Sequence, residues 1–291
     1  MRLQRDQLET LAAVVDAGTF DAAAAALAIT PSAVSQRIKA MEQQLGRVLV
    51  VRSKPVRATE SGGALVRLAR QLALLEHDAG AELGIDDDAV PSIPIAVNAD
   101  SMATWLLPAL ARVSNVTFDL HREDQEHTAA LLADGTVMAA VTSQAHPVPG
   151  CTVTALGRMI YRPVATPAFA ARWFPEGLST QALALAPMVD FDRRDELQAR
   201  FLASIAGPAA RPPRHYVPAS ADFAQAIVLG IGWGMLPDAQ ADEPRRAGDL
   251  LTLDPAATID VSLYWQQWNL RSAALDAVAA AVIAAARSAL G

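Results

Sequence analysis

The sequence predicts an α/β multidomain chain: a helical N-terminal segment with a short basic hairpin, one long connecting helix, and a module of alternating strands and helices. Three observations point there. At 291 residues the chain exceeds the usual size of one core and suits roughly two domains of about 150 residues each. Apolar residues recur at helical spacing as far as Leu83, and from Ile93 the pattern changes to short apolar runs alternating with helical ones, as in a parallel sheet. Charge is uneven as well: residues 1–84 carry 10 Arg/Lys against 9 Asp/Glu, while residues 85–291 carry 14 against 22, within a net charge of -7.

Leu8, Leu11, Ala12 and Val15 share one face of a first helix, which Gly18 stops. Phe20 opens a second, short helix rich in alanine (Ala22 to Ala26), and Thr30 caps a third, with Pro31 in the first position, where a missing N–H costs nothing. In this third helix Val34, Ile38, Met41 and Leu45 form the inward stripe, and Gly46 ends it. Val48 to Val51 and Val56 to Ala58 read as two strands about the turn Arg52-Ser53-Lys54-Pro55. Between Pro31 and Arg57 stand six basic side chains and one acid, Glu42, the local surplus that phosphate contacts require. Ser32, Ser35, Gln36, Arg37 and Lys39 face outward on the third helix and suit base edges in a major groove, while Arg52, Lys54 and Arg57 form a basic wing for the backbone or minor groove. An ordinary amphipathic surface helix has the same polar face, and only the hairpin beside it favours a winged helix-turn-helix.

Phe20-Asp21-Ala22-Ala23-Ala24, the run Thr30 to Lys39, Glu42, Leu45-Gly46 and Arg57-Ala58-Thr59-Glu60-Ser61-Gly62 resemble, without a gap, the N-terminal domain of LysR-type transcriptional regulators. The resemblance implies a winged helix-turn-helix over residues 1–58 and a linker helix over 59–84 that pairs with its counterpart in another subunit. Leu65, Leu68, Leu72 and Leu75 supply apolar spacing for such a pairing. A hinge is expected at 85–92, where Asp86-Asp87-Asp88 reads as a solvated run. Residues 93–291 are then a two-lobed, periplasmic-binding-protein-like effector domain, with lobe I at 93–163 and 266–291 and lobe II at 164–265. Expected partners are double-stranded DNA at promoter half-sites, a small-molecule effector, further copies of the chain as homodimer or homotetramer, and RNA polymerase.

Ligands of open α/β sheets sit beyond the carboxyl ends of strands, near helix N-termini. Asn98, Asp100, Ser101 and Thr104 occupy one such end; Glu123 with Asp124, Thr142 with Ser143, Asp190 with Asp192, and Ser220 with Asp222 occupy others, and each is also a plausible helix cap. Acids and hydroxyls with few basic residues favour a ligand that carries positive charge beside a carboxylate. The stretches Asn98 to Leu110, Phe169 to Gly177 and Pro187 to Asp192 are similar to the branch of LysR-type regulators that controls basic amino-acid export. That similarity implies lysine, arginine or histidine as effector, with its carboxylate at the Ser101 helix end and its cation at one or more of Asp100, Asp124, Asp190, Asp192 and Asp222. It fades between Ala206 and Pro218, a proline- and arginine-rich stretch.

Other classes fit less well. Gly230 to Pro237 lacks both phosphate-loop patterns, and no Cys/His cluster has metal-ligand spacing, so neither metal nor cofactor is expected. Cys151 is a lone thiol, and His121, His127 and His146 have no nucleophile partner, which leaves no case for an enzyme. A bilayer span needs about 20 apolar residues; none is present, and the start lacks a secretory pattern, so no membrane partner and a cytoplasmic location are expected. The alternative to a ligand sensor is an architectural DNA-binding protein that uses its second domain to oligomerise. A solute receptor explains the second domain but not the basic wing.

Overall fold

The computed structural model describes residues 3–85, 90–123, 128–207 and 210–290. It divides into two compact units: residues 1–97, 113–154 and 265–280 form the first, and 98–112, 155–264 and 281–291 the second.

The first unit opens with α1 (Arg5–Ala17), α2 (Phe20–Ala26) and α3 (Pro31–Leu45). Each start has a local cause. Thr19 and Thr30 accept backbone N–H groups from Ala22 (3.1 Å) and Ala33 (3.2 Å), and Gly18 and Gly46 close α1 and α3 with left-handed backbone. Of the stripes predicted from spacing, Leu8, Leu11, Val34, Ile38 and Met41 are buried and Ala12, Val15 and Leu45 are half-buried against the same core, which also takes in Val14, Leu49 and Val56. The hairpin is shorter than its sequence suggests, with β1 (Val50–Val51) antiparallel to β2 (Arg57–Ala58). Val56 has left the ladder because its N–H donates to the carbonyl of Gly18 (2.7 Å), which ties the wing to the end of α1.

Thr59 caps the long helix α4 (Glu60–Glu82) by accepting from Gly62 N–H (3.0 Å). Val66 and Ala69 are buried in the N-terminal core and Leu65 and Leu68 pack against it, whereas Leu72 (36%) and Leu75 (41%) stay exposed on a single chain. Two glycines let α4 approach its neighbours backbone to backbone. A Cβ on Gly62 would stand 1.9 Å from the carbonyl oxygen of Leu49, and one on Gly63 would stand 2.2 Å from that of Asp134. Arg67 donates to the carbonyl of Ala133, and Arg70 to those of Gly135 and Thr136 and to the carboxylate of Asp16.

Strand β3 (Ser92–Val97) follows, then α5 (Ala99–Ser101), a π-helical turn (Met102–Leu106) and α6 (Leu107–Leu110) in the second unit; the chain returns as β4 (Thr117–Arg122), α7 (Thr128–Ala133) and β5 (Ala139–Thr142). β3 lies between β4 and β5, parallel to both, and is buried from Ile93 onward, as a central parallel strand must be. Pro108 has no N–H to give to the carbonyl four residues back, which suits a local change of helical register before α6.

The rest of the second unit runs β6 (Cys151–Ala165), α8 (Pro167–Trp173), α9 (Thr180–Leu185), β7 (Met188–Asp190), α10 (Leu197–Ala206), β8 (Arg214–Tyr216), α11 (Ser220–Val228), β9 (Gly234–Pro237), α12 (Asp238–Ala247), β10 (Leu251–Thr252), β11 (Ile259–Trp268) and α13 (Ala273–Ala289). β6, β11 and α13 pass between the units. β6 pairs antiparallel with β9 and β10, while β7 and β8 form a separate parallel pair. Val164, Val189, Phe223, Ile227, Leu236 and Leu250 make the core, and Trp233 is fully buried with its ring edge-on to Phe174.

The glycines of α4 give a paired test. Gly62→Ala is expected to lower unfolding stability by about 1–3 kcal/mol through the forced clash with Leu49. Gly80→Ala, where the new Cβ meets only an ordinary contact at 3.7 Å, is expected to raise it by about 0.5–1 kcal/mol. Urea denaturation of both variants measures this, and a shift of the same sign in both counts against close backbone packing at Gly62.

Candidate functional site

Two regions hold the residues singled out above. On α3, Ser32, Gln36 and Lys39 are exposed and Ser35 is half-buried; Arg52, Lys54 and Arg57 on the wing are exposed. Arg37 lies differently. Its guanidinium turns back onto α1, donating to Thr10 Oγ1 (3.1 Å) and approaching Asp6 at 3.4 Å. Arg52 sits over the Phe20 ring, 5.2 Å from its centre, which fixes the root of the wing to α2. Glu42, the one acid of the basic stretch, accepts the Leu49 N–H at 2.8 Å and so ties the end of α3 to the wing. The polar front of α3 and the basic wing are thereby held on one rigid core, as groove reading requires.

The second region gathers around Asp100, just past the carboxyl end of β3. Ser220 Oγ, at the start of α11, donates to Asp100 Oδ1 (2.6 Å), and Tyr161 Oη, on β6, donates to Oδ2 (2.7 Å). Gln240 on α12 donates to Ser220 Oγ (2.8 Å). The Thr104 hydroxyl is spent on the Asp100 carbonyl (2.6 Å), a back-bond across the π-helical turn. On either side of Asp100 in the chain, Asn98 Oδ1 and Ser101 Oγ are buried without a hydrogen-bond partner among the described residues, as is Gln240 Oε1. Buried polar atoms of this kind are paired in most proteins, with protein groups or ordered water.

The carboxylates differ in what neutralises them. Burial pushes the Asp100 carboxyl up from its ordinary value; the Ser220 and Tyr161 hydroxyls pull it back, Asp195 adds to the rise, and no cation among the described residues acts on it. Asp190 is also buried and pushed up, but Arg214 opposes the rise with a 2.7 Å ion pair. Asp195 accepts from the N–H groups of Phe191 (3.1 Å) and Leu197 (2.9 Å) and from Gln198 Nε2 (3.1 Å). Asp192 accepts the Arg194 N–H in a turn, and Asp222 is exposed on the first turn of α11. Ser143 follows β5 in the other unit, and Asp124 lies outside the described residues.

Residues 5–63 match the family described as bacterial regulatory helix-turn-helix protein, lysR family, and residues 88–287 match the LysR substrate binding domain. The chain belongs to the LysR family. It is therefore a transcriptional regulator with a DNA-binding helix-turn-helix and an α/β substrate-binding module. The HTH-type transcriptional regulator LysG of Mycobacterium tuberculosis is 46% identical over 286 residues, covering 98% of this chain and 94% of that protein. Among solved structures, ArgP from Mycobacterium tuberculosis superposes with a TM-score of 0.87 at 46% identity over 99% of each chain. Full-length LysG from Corynebacterium glutamicum with bound effector Arg gives 0.77 at 40% identity over 99% of each chain.

Of the residues named from the sequence, the structure brings Asp100 and Ser220 together, and Tyr161, Gln240 and Asp195, which the sequence did not single out, join them. The partners come from distant segments: antiparallel pairing of β6 with β9 sets Tyr161 opposite Pro237, which leads directly into α12 and Gln240. Among the described residues no three His, Cys, Asp or Glu side chains are grouped to hold a metal.

Asp100 sets a pH-dependent stability. Its raised carboxyl binds a proton more readily in the folded chain than in the unfolded one, so its ionised form costs stability as pH rises past the ordinary value of 3.8. Asp100→Asn keeps the shape without the charge. The ligand-free variant is expected to melt above the parent at pH 7, with an advantage that shrinks as pH falls toward the ordinary carboxylate range; thermal melts across pH give the answer, and a lower melting point at pH 7 contradicts it.

Proposed function

We propose that this protein senses a basic amino acid, with arginine or lysine ahead of histidine, and that the bound state switches transcription of an amino-acid exporter gene, as an activator. The Asp100 carboxylate carries this reading: it is held by two hydroxyls with no cation beside it among the described residues, in a setting where a guanidinium or ammonium group relieves the burial of its charge. Asn98 and Ser101, with unpartnered polar atoms, then receive the α-carboxylate end or its hydration, and Thr104 shapes the turn that presents them. The likeness to LysG, solved with bound effector Arg, supports the ligand class.

For the DNA side we assign residues 1–58 to operator binding and 59–84 to subunit pairing, with a hinge at 85–92 and the effector domain at 93–291. Ser32, Ser35, Gln36 and Lys39 meet base edges or phosphates from α3, and Arg52, Lys54 and Arg57 hold the flanking backbone. Arg37 braces the recognition helix against α1, which places it behind the contact surface. Leu72 and Leu75, exposed on the single chain, are the seam for a second copy. No catalytic role is assigned to any residue. A cytoplasmic site of action follows from the DNA target, and no helix among the described residues is long and apolar enough to cross a membrane.

Two measurements test the assignment. Titration calorimetry with arginine and lysine, with glutamate as control, is expected to show saturable binding that Asp100→Ala weakens at least about tenfold, the size of a lost charge-assisted bond. Binding of glutamate alone, or an unchanged arginine affinity in Asp100→Ala, removes the basic effector. On operator DNA, Lys39→Ala and Arg57→Ala are each expected to weaken binding and to reduce the salt dependence by about one unit of log slope. Unchanged slopes in both place the contact surface elsewhere.

A further inference from the structure

The proline- and arginine-rich stretch between Ala206 and Pro218, where similarity to the export branch fades, is not used by the effector site, and further arginines precede it. Between Arg193 and Arg214 the chain carries Arg193, Arg194, Arg200, Arg211 and Arg214 against only Asp195 and Glu196, in a module whose overall balance is acidic. Asp195 is already taken up by three N–H donors. Residues of α10, of β8 and of the described chain between them line a groove of about 730 Å³. A groove of that size suits a small organic molecule.

Its lining has two characters. Leu202, Ala203 and Pro212 give an apolar floor, and Arg211, Arg214 and Tyr216 give a cationic and aromatic wall. Arg193 covers the Tyr216 ring, 4.6 Å from its centre, and so adds a third positive charge beside that wall. Arg214 is held in place from behind. Its Nη1 bonds the carboxylate of Asp190 at 2.7 Å, and the Asp190 side chain is only 1% exposed. A guanidinium has five N–H donors in a fixed plane, so one bond to Asp190 orients the group and leaves other donors for the groove. The ordering cost of the cation is thus met before any ligand arrives. This also gives Asp190 a purpose apart from effector binding, since a carboxylate buried with an arginine partner is a costly arrangement for stability alone.

We propose that this groove is a second ligand site, taking a small organic anion whose carboxylate or phosphate head meets Arg211 and Arg214 while an apolar body rests on Leu202, Ala203 and Pro212. It stands independently of the effector reading, because its lining among the described residues belongs to α10, β8 and the chain between them. The LysR-type chain would then receive two chemical signals, one cationic at Asp100 and one anionic at this groove.

Titration calorimetry on the full-length protein tests it, with saturating arginine present throughout so that the Asp100 region is occupied. The probes are 4-phenylbutyrate, phenyl phosphate and inorganic phosphate, with 4-phenylbutylamine as the charge control. Binding of phenylbutyrate or phenyl phosphate at one per chain, with the amine silent, is expected; which of the two binds more tightly identifies the head group. Arg211→Ala and Ala203→Trp, both at exposed positions, are expected to weaken that binding at least tenfold, the first by removing charge and the second by filling the floor. Arginine titrations of both variants in the absence of the anions are expected to match the parent, which separates failure of this site from failure of the effector reading. Silence of both organic anions, binding of inorganic phosphate alone, or equal affinity in both variants overturns the proposal.

Discussion

The backbone-to-backbone seating of α4 is the constraint on which the first unit depends. Gly62 lies against the carbonyl of Leu49 in the wing, and Gly63 lies against that of Asp134 in the turn before β5. Two adjacent residues of one helix therefore index both the DNA-binding core and the start of a sheet strand. Arg67 and Arg70 extend the seam along the same helix to the carbonyls of Ala133, Gly135 and Thr136. Close packing admits discrete arrangements more readily than continuous sliding, so a displacement of the turn before β5 is felt at the wing as a whole-body move. Arg70 adds a polar link of the same kind by reaching Asp16, close to the Gly18 carbonyl that anchors Val56.

The second unit is organised by a contrast between two buried carboxylates. Asp190 carries its own cation, and Asp100 carries hydroxyls instead. The difference decides what each can do: the first is an ion pair through Oδ2 that fixes Arg214, and the second, on the reading proposed above, is completed only when a positively charged molecule arrives. Low dielectric strengthens both effects.

What was legible in the sequence was local. Thr30, Pro31 and Gly46 bound α3 because capping and left-handed closure act within one turn, and the buried stripe of Val34, Ile38 and Met41 follows from helical period alone. Asp100 drew attention because strand ends carry ligands in α/β sheets, and the structure buries it there against Ser220 and Tyr161. Tyr161, Gln240 and Asp195 were not legible, since nothing in their immediate surroundings distinguishes them and only strand pairing and loop closure bring them to Asp100. Arg37 looked like its basic neighbours until its partners on another helix were known. The hairpin read as longer than it is because the Val56 N–H has a better acceptor at Gly18 than across the ladder. The π-helical turn left only one trace, Pro108.

Arg70 bears on how such regulators can be recombined. A chimaera built by exchanging effector domains would naturally be cut in the acidic run near residue 86, where the sequence places the hinge. Mechanically the seam lies earlier, because Gly63, Arg67 and Arg70 already grip the turn before β5. A biosensor made with the later junction would carry the grip of one parent and the turn of another. It would bind DNA and ligand normally and yet fail to connect them, unless the Ala133–Thr136 turn travelled with α4 as a matched cassette.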